Sequence, residues 1–325
     1  MDTLKTVLLL ALPASGKSEV RRYLAHVDKD VCRRDFHMGE TVQLDDFPYV
    51  HMMRRIDDEL VAAGSERVFF KAGDKPFQDA RDWGTLIELV NEDHADLMAR
   101  LVEKPQLAAE LLMDRIDNAS QEVGLPPRLD KVKPELRAKV VAKIEEEART
   151  MLAEKHANYP ATLDGKTLVV EFARGGPDGA KMPLVAPLGY RYSLGRLSDA
   201  LLKDAVILYV WVTPAESRRK NAARTDPNDP GSILHHGVPT DVMLGDYGCD
   251  DMDWLEANAR TKGAVTVETK RRTYDVPIAR FDNRVDKTSF LRDDPARWAP
   301  VSVKAVHDGL SSALTSLVAS RNDSH

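Results

Sequence analysis

The sequence predicts an α/β fold built on a parallel sheet. Three observations point there. The apolar runs Thr6 to Leu12, Thr167 to Phe172 and Ala205 to Val212 read as strands buried on both faces. Helical patterns separate these runs, as crossover connections between parallel strands require. The first run leads directly into Gly16-Lys17-Ser18 and a helical stretch, Ser18 to His26.

The other elements follow in order. Val42 to Leu44 is a short strand ending in Asp45-Asp46, and Tyr49 to Ala63 is helical. Arg67 to Lys71 reads as a further strand. From Trp83 to Asn158 no strand pattern occurs. There Leu136, Val140, Val141, Ile144, Ala148, Met151 and Leu152 recur at helical spacing between Pro134 and Pro160. Shorter helices precede them, broken near Pro105 and Pro126-Pro127. Residues 72–160 therefore read as an α-helical insertion into a core made of 1–71 and 161–325. Past the insertion, Leu194 to Leu202 and Pro214 to Arg224 are helical, the second strongly basic. Asp226 to Gly248 is rich in Pro, Gly and Asp and reads as loop. Asp251 to Lys262 is helical, and Val265 to Val267 with Arg272 to Tyr274 form a hairpin. Val276 to Phe281 is the last strand, and Val303 to Ser320 a closing helix.

Composition narrows the function classes. Among 325 residues, 46 Lys and Arg face 52 Asp and Glu, a formal charge of −6. That balance argues against a duplex-DNA binder and leaves room for a local basic pocket. With 43% hydrophobic and 30% charged residues, the chain reads as soluble and globular. Cys32 and Cys249 form no CxxC, so they are expected as free thiols in a reducing cytoplasm. The run Val7 to Leu12 is shorter than the ~7–15 residues of a signal-peptide core. No stretch reaches the ~18–20 apolar residues of a membrane span.

The most specific signal is Ala11-Leu12-Pro13-Ala14-Ser15-Gly16-Lys17-Ser18. A strand runs in and a helix runs out, so consecutive backbone N–H groups can curl around phosphate oxygens at a helix N-terminus. Gly16 permits close backbone approach. Lys17 can reach the β- and γ-phosphates, and the Ser18 hydroxyl can ligate Mg²⁺.

This stretch resembles the Walker A pattern with alanine in place of the first glycine. The chain around it is similar to the P-loop kinase superfamily, which includes adenylate kinase, small-molecule kinases and zeta-toxin-like kinases. The resemblance covers about 1–71 and 161–325 and is strongest at the loop. It implies a three-layer P-loop NTPase fold with a lid at about 214–248. It also implies ATP and Mg²⁺ as cofactors, with Pro13, Ala14, Ser15, Gly16, Lys17, Ser18 and Glu19 around the phosphates.

The resemblance assigns further residues. Asp45-Asp46 stands where such kinases place a carboxylate toward the acceptor; Asp46 is the preferred base, and a helix N-cap is the competing role. On the next helix, Arg54 is a candidate acceptor grip, against a surface pairing with neighbouring acids. Glu171 ends an apolar strand as a Walker B candidate for Mg²⁺, and Arg174 beside it is a candidate substrate contact. The competing reading pairs these two with each other. Arg218, Arg219 and Arg224 look like lid arginines that stabilise the transferring phosphoryl group. Asn283 is a candidate for the nucleotide base or for an Asx turn. His235-His236 lies in the lid and lacks the spacing of a zinc site.

The expected activity is therefore an ATP- and Mg²⁺-dependent phosphotransferase acting on a small acceptor such as a nucleoside, a nucleotide or a sugar-like molecule. The alternative is an NTPase switch that hydrolyses ATP, with a protein partner on the helical insertion. No Asn-Lys-x-Asp sequence occurs, which disfavours a GTPase. The net charge disfavours a nucleic-acid end kinase, and no membrane partner is expected.

Overall fold

The opening apolar run forms β1 (Thr6–Leu10) and passes through a loop into α1 (Lys17–His26) in the computed structural model, which describes residues 3–224 and 237–322. Helix α2 (Lys29–Asp35) starts where the Asp28 carboxylate accepts from the amides of Asp30 and Val31. Strand β2 (Glu40–Asp45) then delivers the two aspartates to α3 (Phe47–Ala62), whose first turn carries Pro48. Three helices follow with no strand between them: α4 (Asp82–Ala99), α5 (Ala108–Glu122) and α6 (Pro134–Ala157). The chain returns to the sheet in β3 (Lys166–Phe172). It continues through α7 (Gly189–Leu194) and α8 (Asp199–Leu202) to β4 (Ala205–Trp211). Helices α9 (Pro214–Arg224), α10 (Thr240–Gly245) and α11 (Met252–Ala257) lead to β5 (Ala264–Glu268), β6 (Thr273–Asp282) and α12 (Pro300–Asn322).

The sheet has the order β2-β3-β1-β4-β6-β5, with β5 alone antiparallel. Burial follows position. The central strands β1, β3 and β4 are buried almost throughout, which is why their sequences are continuous apolar runs. Edge strand β2 alternates instead. One face of the sheet packs against α1 and α12 through residues such as Val20, Tyr23, Val306 and Leu310. The other packs against α4, α7, α8 and α11. Helix α4 has two apolar faces: Ile87 and Val90 meet the sheet, while Leu86 and Leu89 join α3, α5 and α6 in a separate cluster. No described helix is long and apolar enough to cross a membrane.

Several boundaries differ from the sequence expectation. Arg67 to Lys71 is not a strand. The buried Asp57 carboxylate accepts from the amides of Val68, Phe69 and Phe70 (2.7–3.2 Å), so those donors are unavailable to a sheet ladder. Leu194 to Leu202 splits into two helices because Ser198 caps the second (3.3 Å to Leu201 N). The helix expected over Asp251 to Lys262 ends at Ala257. The two segments expected at Arg272 to Tyr274 and Val276 to Phe281 are one strand, β6, which pairs with β4 and β5. Helix α10 lies within the stretch expected as loop.

Candidate functional site

Three parallel strands, β2, β3 and β1, end side by side, and their C-terminal loops build the site. In open α/β sheets ligands bind outside those ends where the strand order reverses. The chain moves from β1 outward to β2, back to β3, and then across to β4 on the other side of β1.

The loop after β1 is held open from outside. Tyr190 Oη donates to the Ala11 carbonyl (2.9 Å), Ser217 Oγ to the Pro13 carbonyl (2.7 Å) and Asn283 Nδ2 to the Ser15 carbonyl (2.6 Å). All three side chains are buried. With those carbonyls so engaged, the amides of Gly16, Ser18 and Glu19 find no acceptor among the described residues. Ser15 Oγ is likewise buried without a partner. Ala14 (φ 54°) and Gly16 (φ 110°) take the left-handed backbone that the curl needs.

Gly16 is constrained twice. A Cβ there would lie 2.5 Å from Thr288 Oγ1 and 2.9 Å from Asn283 Nδ2. Gly16→Ala is therefore expected to push the loop off its buttress, at a cost of about 1–2 kcal/mol from backbone conformation alone. Nucleotide affinity should fall with stability, read by thermal melts and nucleotide titration of the same variant. Unchanged affinity would show that the curl is not used.

Lys17 opens α1, is 8% exposed, and donates from Nζ to the Ala11 carbonyl (3.3 Å). It lines a cavity of ≈160 Å³ with Pro13 to Glu19, Asp45, Asp46 and Glu171. Arg54, expected as an acceptor grip, also lines this cavity. Its guanidinium stacks on Phe70 (3.8 Å) and donates to the carbonyls of Gly73 and Lys75. Trp83, Tyr247 and Val242 form an apolar wall, and Asp246 adds a carboxyl that burial raises to about 6 against Lys71 and Arg54.

The acids behave as a set. Register places Asp45 beside Glu171 across β2 and β3. Burial, then the charges of Glu171 and Asp46, push the Asp45 carboxyl up to about 7. Asp46 is raised by burial although Arg174 and Lys17 pull the other way. Asp45 accepts the Phe47 amide (2.9 Å), and Asp46 occupies the N-cap position of α3 with no capping bond from its side chain. Arg21 bridges the set. It donates to Glu171 (2.8 Å) and Asp45 (3.3 Å) from the same nitrogen, and to Gln43 from the other.

Five expected contact residues are placed differently. Arg174 is 1% exposed and does not line the cavity; it holds Asp46 (2.6 Å), Ser193 (3.0 Å) and the Trp83 carbonyl (3.3 Å). Its competing reading also needs correction, since Glu171 pairs with Arg21 instead. Asn283 cannot read a base, because its amide is used up on Ser15, Thr288 and the Lys287 amide. Glu19 borders the cavity, yet its carboxylate pairs with Arg292 (2.6 Å). Arg219 is exposed and paired with Glu216 (2.7 Å), and Arg218 leans toward Asp178 (3.7 Å), so neither reaches the loop. The side chain of Arg224, and His235-His236, lie outside the described residues.

Sequence reasoning missed the buttress. Lys220, 1% exposed, donates to Asp286 (2.8 Å) and Thr288 (3.0 Å), and Thr288 supports Asn283 and packs on Gly16. Only Arg21 carried a local signal, standing one helical turn after Ser18 on the same face. Comparison with protein-family models, curated proteins and solved structures gives no match for this chain.

Proposed function

We propose that the chain is an ATP- and magnesium-dependent phosphotransferase of P-loop kinase type. One observation carries this reading: a loop whose carbonyls are taken by Tyr190, Ser217 and Asn283, whose Gly16, Ser18 and Glu19 amides find no acceptor among the described residues, and which shares one cavity with the side chains of Lys17, Asp45, Asp46 and Glu171. Such a curl is suited to phosphate oxygens and to little else. An unpaired buried hydroxyl costs about 1–3 kcal/mol, and an oxyanion in the loop supplies the partner that Ser15 lacks.

The donor set also fits Mg²⁺. Ser18 and Glu171 are hard oxygen ligands, and the crowded like charges of Asp45, Asp46 and Glu171 favour a cation beside them. Among the described residues no group of three or more His, Cys, Asp or Glu side chains is arranged to enclose a metal by itself. A cation held here draws part of its shell from phosphate and water, which is the habit of Mg²⁺. When bound, it neutralises charge on the phosphates. The chain's own work is to bind and orient the triphosphate with the loop, to place Lys17 against it, and to take the acceptor proton. Asp45 is better placed than Asp46 for the last role, because Asp46 is locked by Arg174.

The test is calorimetric titration with ATP·Mg and GTP·Mg, followed by ADP production with and without acceptors. Acceptor-stimulated ADP production is expected. Acceptor-independent turnover favours the hydrolytic switch, and failure to bind either nucleotide removes both readings. The pH profile adds a signature. A base must be ionised, so kcat/KM should rise with unit slope up to about pH 7 and then level, and Asp45→Asn should abolish that limb. Stability runs the opposite way. The folded state holds the Asp45 proton more tightly than the unfolded chain, whose pKa is near 3.8, so this group's contribution declines as pH rises from about 4 to about 7.

A further inference from the structure

Beside the phosphate-loop cavity lies a larger one of ≈660 Å³, bounded by α1, edge strand β2, α5 and α6. Ser18 and Asp45 line both cavities, so the two meet at the loop serine and the β2 carboxylate. Leu111 and Leu112 of α5, with Ala148, Met151 and Leu152 of α6, make its wall apolar.

Size separates the two. Pockets for small molecules commonly hold ~300–1,000 Å³. The ≈160 Å³ cavity at the loop is short of room for a nucleoside-sized acceptor beside a triphosphate tail, whereas the larger cavity has it.

Charge then selects the ligand. Every cation that lines the larger cavity is already engaged. Arg21 holds Glu171 and Asp45. Arg22 donates to the carbonyls of Arg292 (2.6 Å) and Asp293 (3.1 Å). Arg115, 6% exposed, pairs with Glu92 (3.0 Å) and Asp93 (2.7 Å). Lys155 pairs with Asp93 (2.8 Å) and Asp96. Tyr49 completes this network by donating to Asp93 (2.7 Å). A phosphate ester or carboxylate could take Arg21, Arg115 or Lys155 only from a carboxylate partner, which strands that charge, and Arg22 only from the two carbonyls that hold it. A neutral molecule requires no such exchange.

We propose that this cavity is the acceptor site, and that it takes an uncharged, hydroxyl-bearing molecule with an apolar body about the size of a nucleoside. The proposal rests on the phosphotransferase reading and narrows its substrate class. The acceptor's apolar part lies on α5 and α6, and its hydroxyl reaches Asp45. The hydroxyl oxygen bonds to the γ-phosphorus while the bond from that phosphorus to the β–γ bridging oxygen breaks. That electron pair leaves with ADP, and the hydroxyl proton passes to Asp45.

The test is NMR on the full chain labelled at the methionine methyl groups and with ¹⁵N at the backbone amides. Met151 reports the larger cavity and the Gly16 amide reports the loop. The probes are neutral nucleosides and aryl glycosides at millimolar concentration, each matched with its phosphate monoester, with ADP·Mg added separately. Neutral compounds should shift Met151, and their monoesters should not. Leu111→Trp, on the partly exposed rim, and Ala148→Met, inside, should each weaken neutral-ligand binding at least ~10-fold by filling the cavity. Both should leave the ADP·Mg shift at Gly16 unchanged. If ADP·Mg moves Gly16 but no neutral compound moves Met151, or the monoesters bind as tightly, the acceptor assignment fails alone. If ADP·Mg leaves Gly16 unmoved while neutral compounds move Met151, the phosphotransferase reading fails and takes the acceptor role with it.

Discussion

Lys17→Ala is expected to cut nucleotide turnover by about 10²–10³-fold or more, the scale for losing one preorganised charge at the reacting centre. Phosphoryl transfer leaves little covalent work to side chains, so charge placed against the transferring group carries most of the rate. Lys17 is the cation that the loop itself contributes to the cavity, and it sits beside Asp46. Its loss should depress kcat more than it weakens ADP affinity, since the loop amides still hold the phosphates. The fold should survive, because Tyr190, Ser217 and Asn283 pin the loop independently of Lys17. Removing the charge also takes away one influence that favours ionised Asp46, leaving that to Arg174. Single-turnover kinetics with a thermal melt on the same sample decide the matter. A folded variant that retains turnover within a few-fold of the parent would sink the assignment.

How much of this was legible in advance depended on distance along the chain. The strand, curl and helix from Thr6 to His26 were readable because apolar run, glycine and helix start are adjacent in sequence. Asp45-Asp46 and Glu171 were readable as candidates because an acid closing an apolar strand is locally conspicuous. Their partners were not. Arg174 stands three residues past Glu171 but pairs with Asp46, 128 positions away, since a neighbour in sequence past a strand end need not be a neighbour in space. Asn283 looked like a base reader or a turn residue, and neither reading mentions Ser15, 268 positions away. The strand expected at Arg67 to Lys71 failed for a related reason: a carboxylate on the preceding helix, Asp57, captured three of its amides from 11 to 13 positions away. Pattern reasoning sees apolar periodicity and adjacency, whereas tertiary hydrogen bonding decided these three cases.

The buried pair Arg174–Asp46 supports the second large prediction. Arg174→Met should lower stability by about 3–5 kcal/mol, because the aspartate is left buried without its principal counter-charge. The arginine also binds Ser193 and the Trp83 carbonyl and packs between Trp83 and Phe172, so one residue joins β3, α3, α4 and α7. The methionine keeps much of the volume, which confines the change to charge and hydrogen bonding. Asp46→Asn in the same chain removes the stranded charge and should restore a large part of the loss, a coupling that a double-mutant cycle measures directly. The sign with pH follows. With its arginine gone, Asp46 is raised further above its usual carboxylate range, so Arg174→Met should lose least at acid pH, where Asp46 is protonated, and most at neutral pH, where it must ionise or hold its proton at a cost. Denaturant unfolding at pH 5 and pH 8 on the single and double variants separates this from a packing defect. A loss that is equal at both pH values and unmoved by Asp46→Asn would mean that Arg174 is held for its shape and not for its charge.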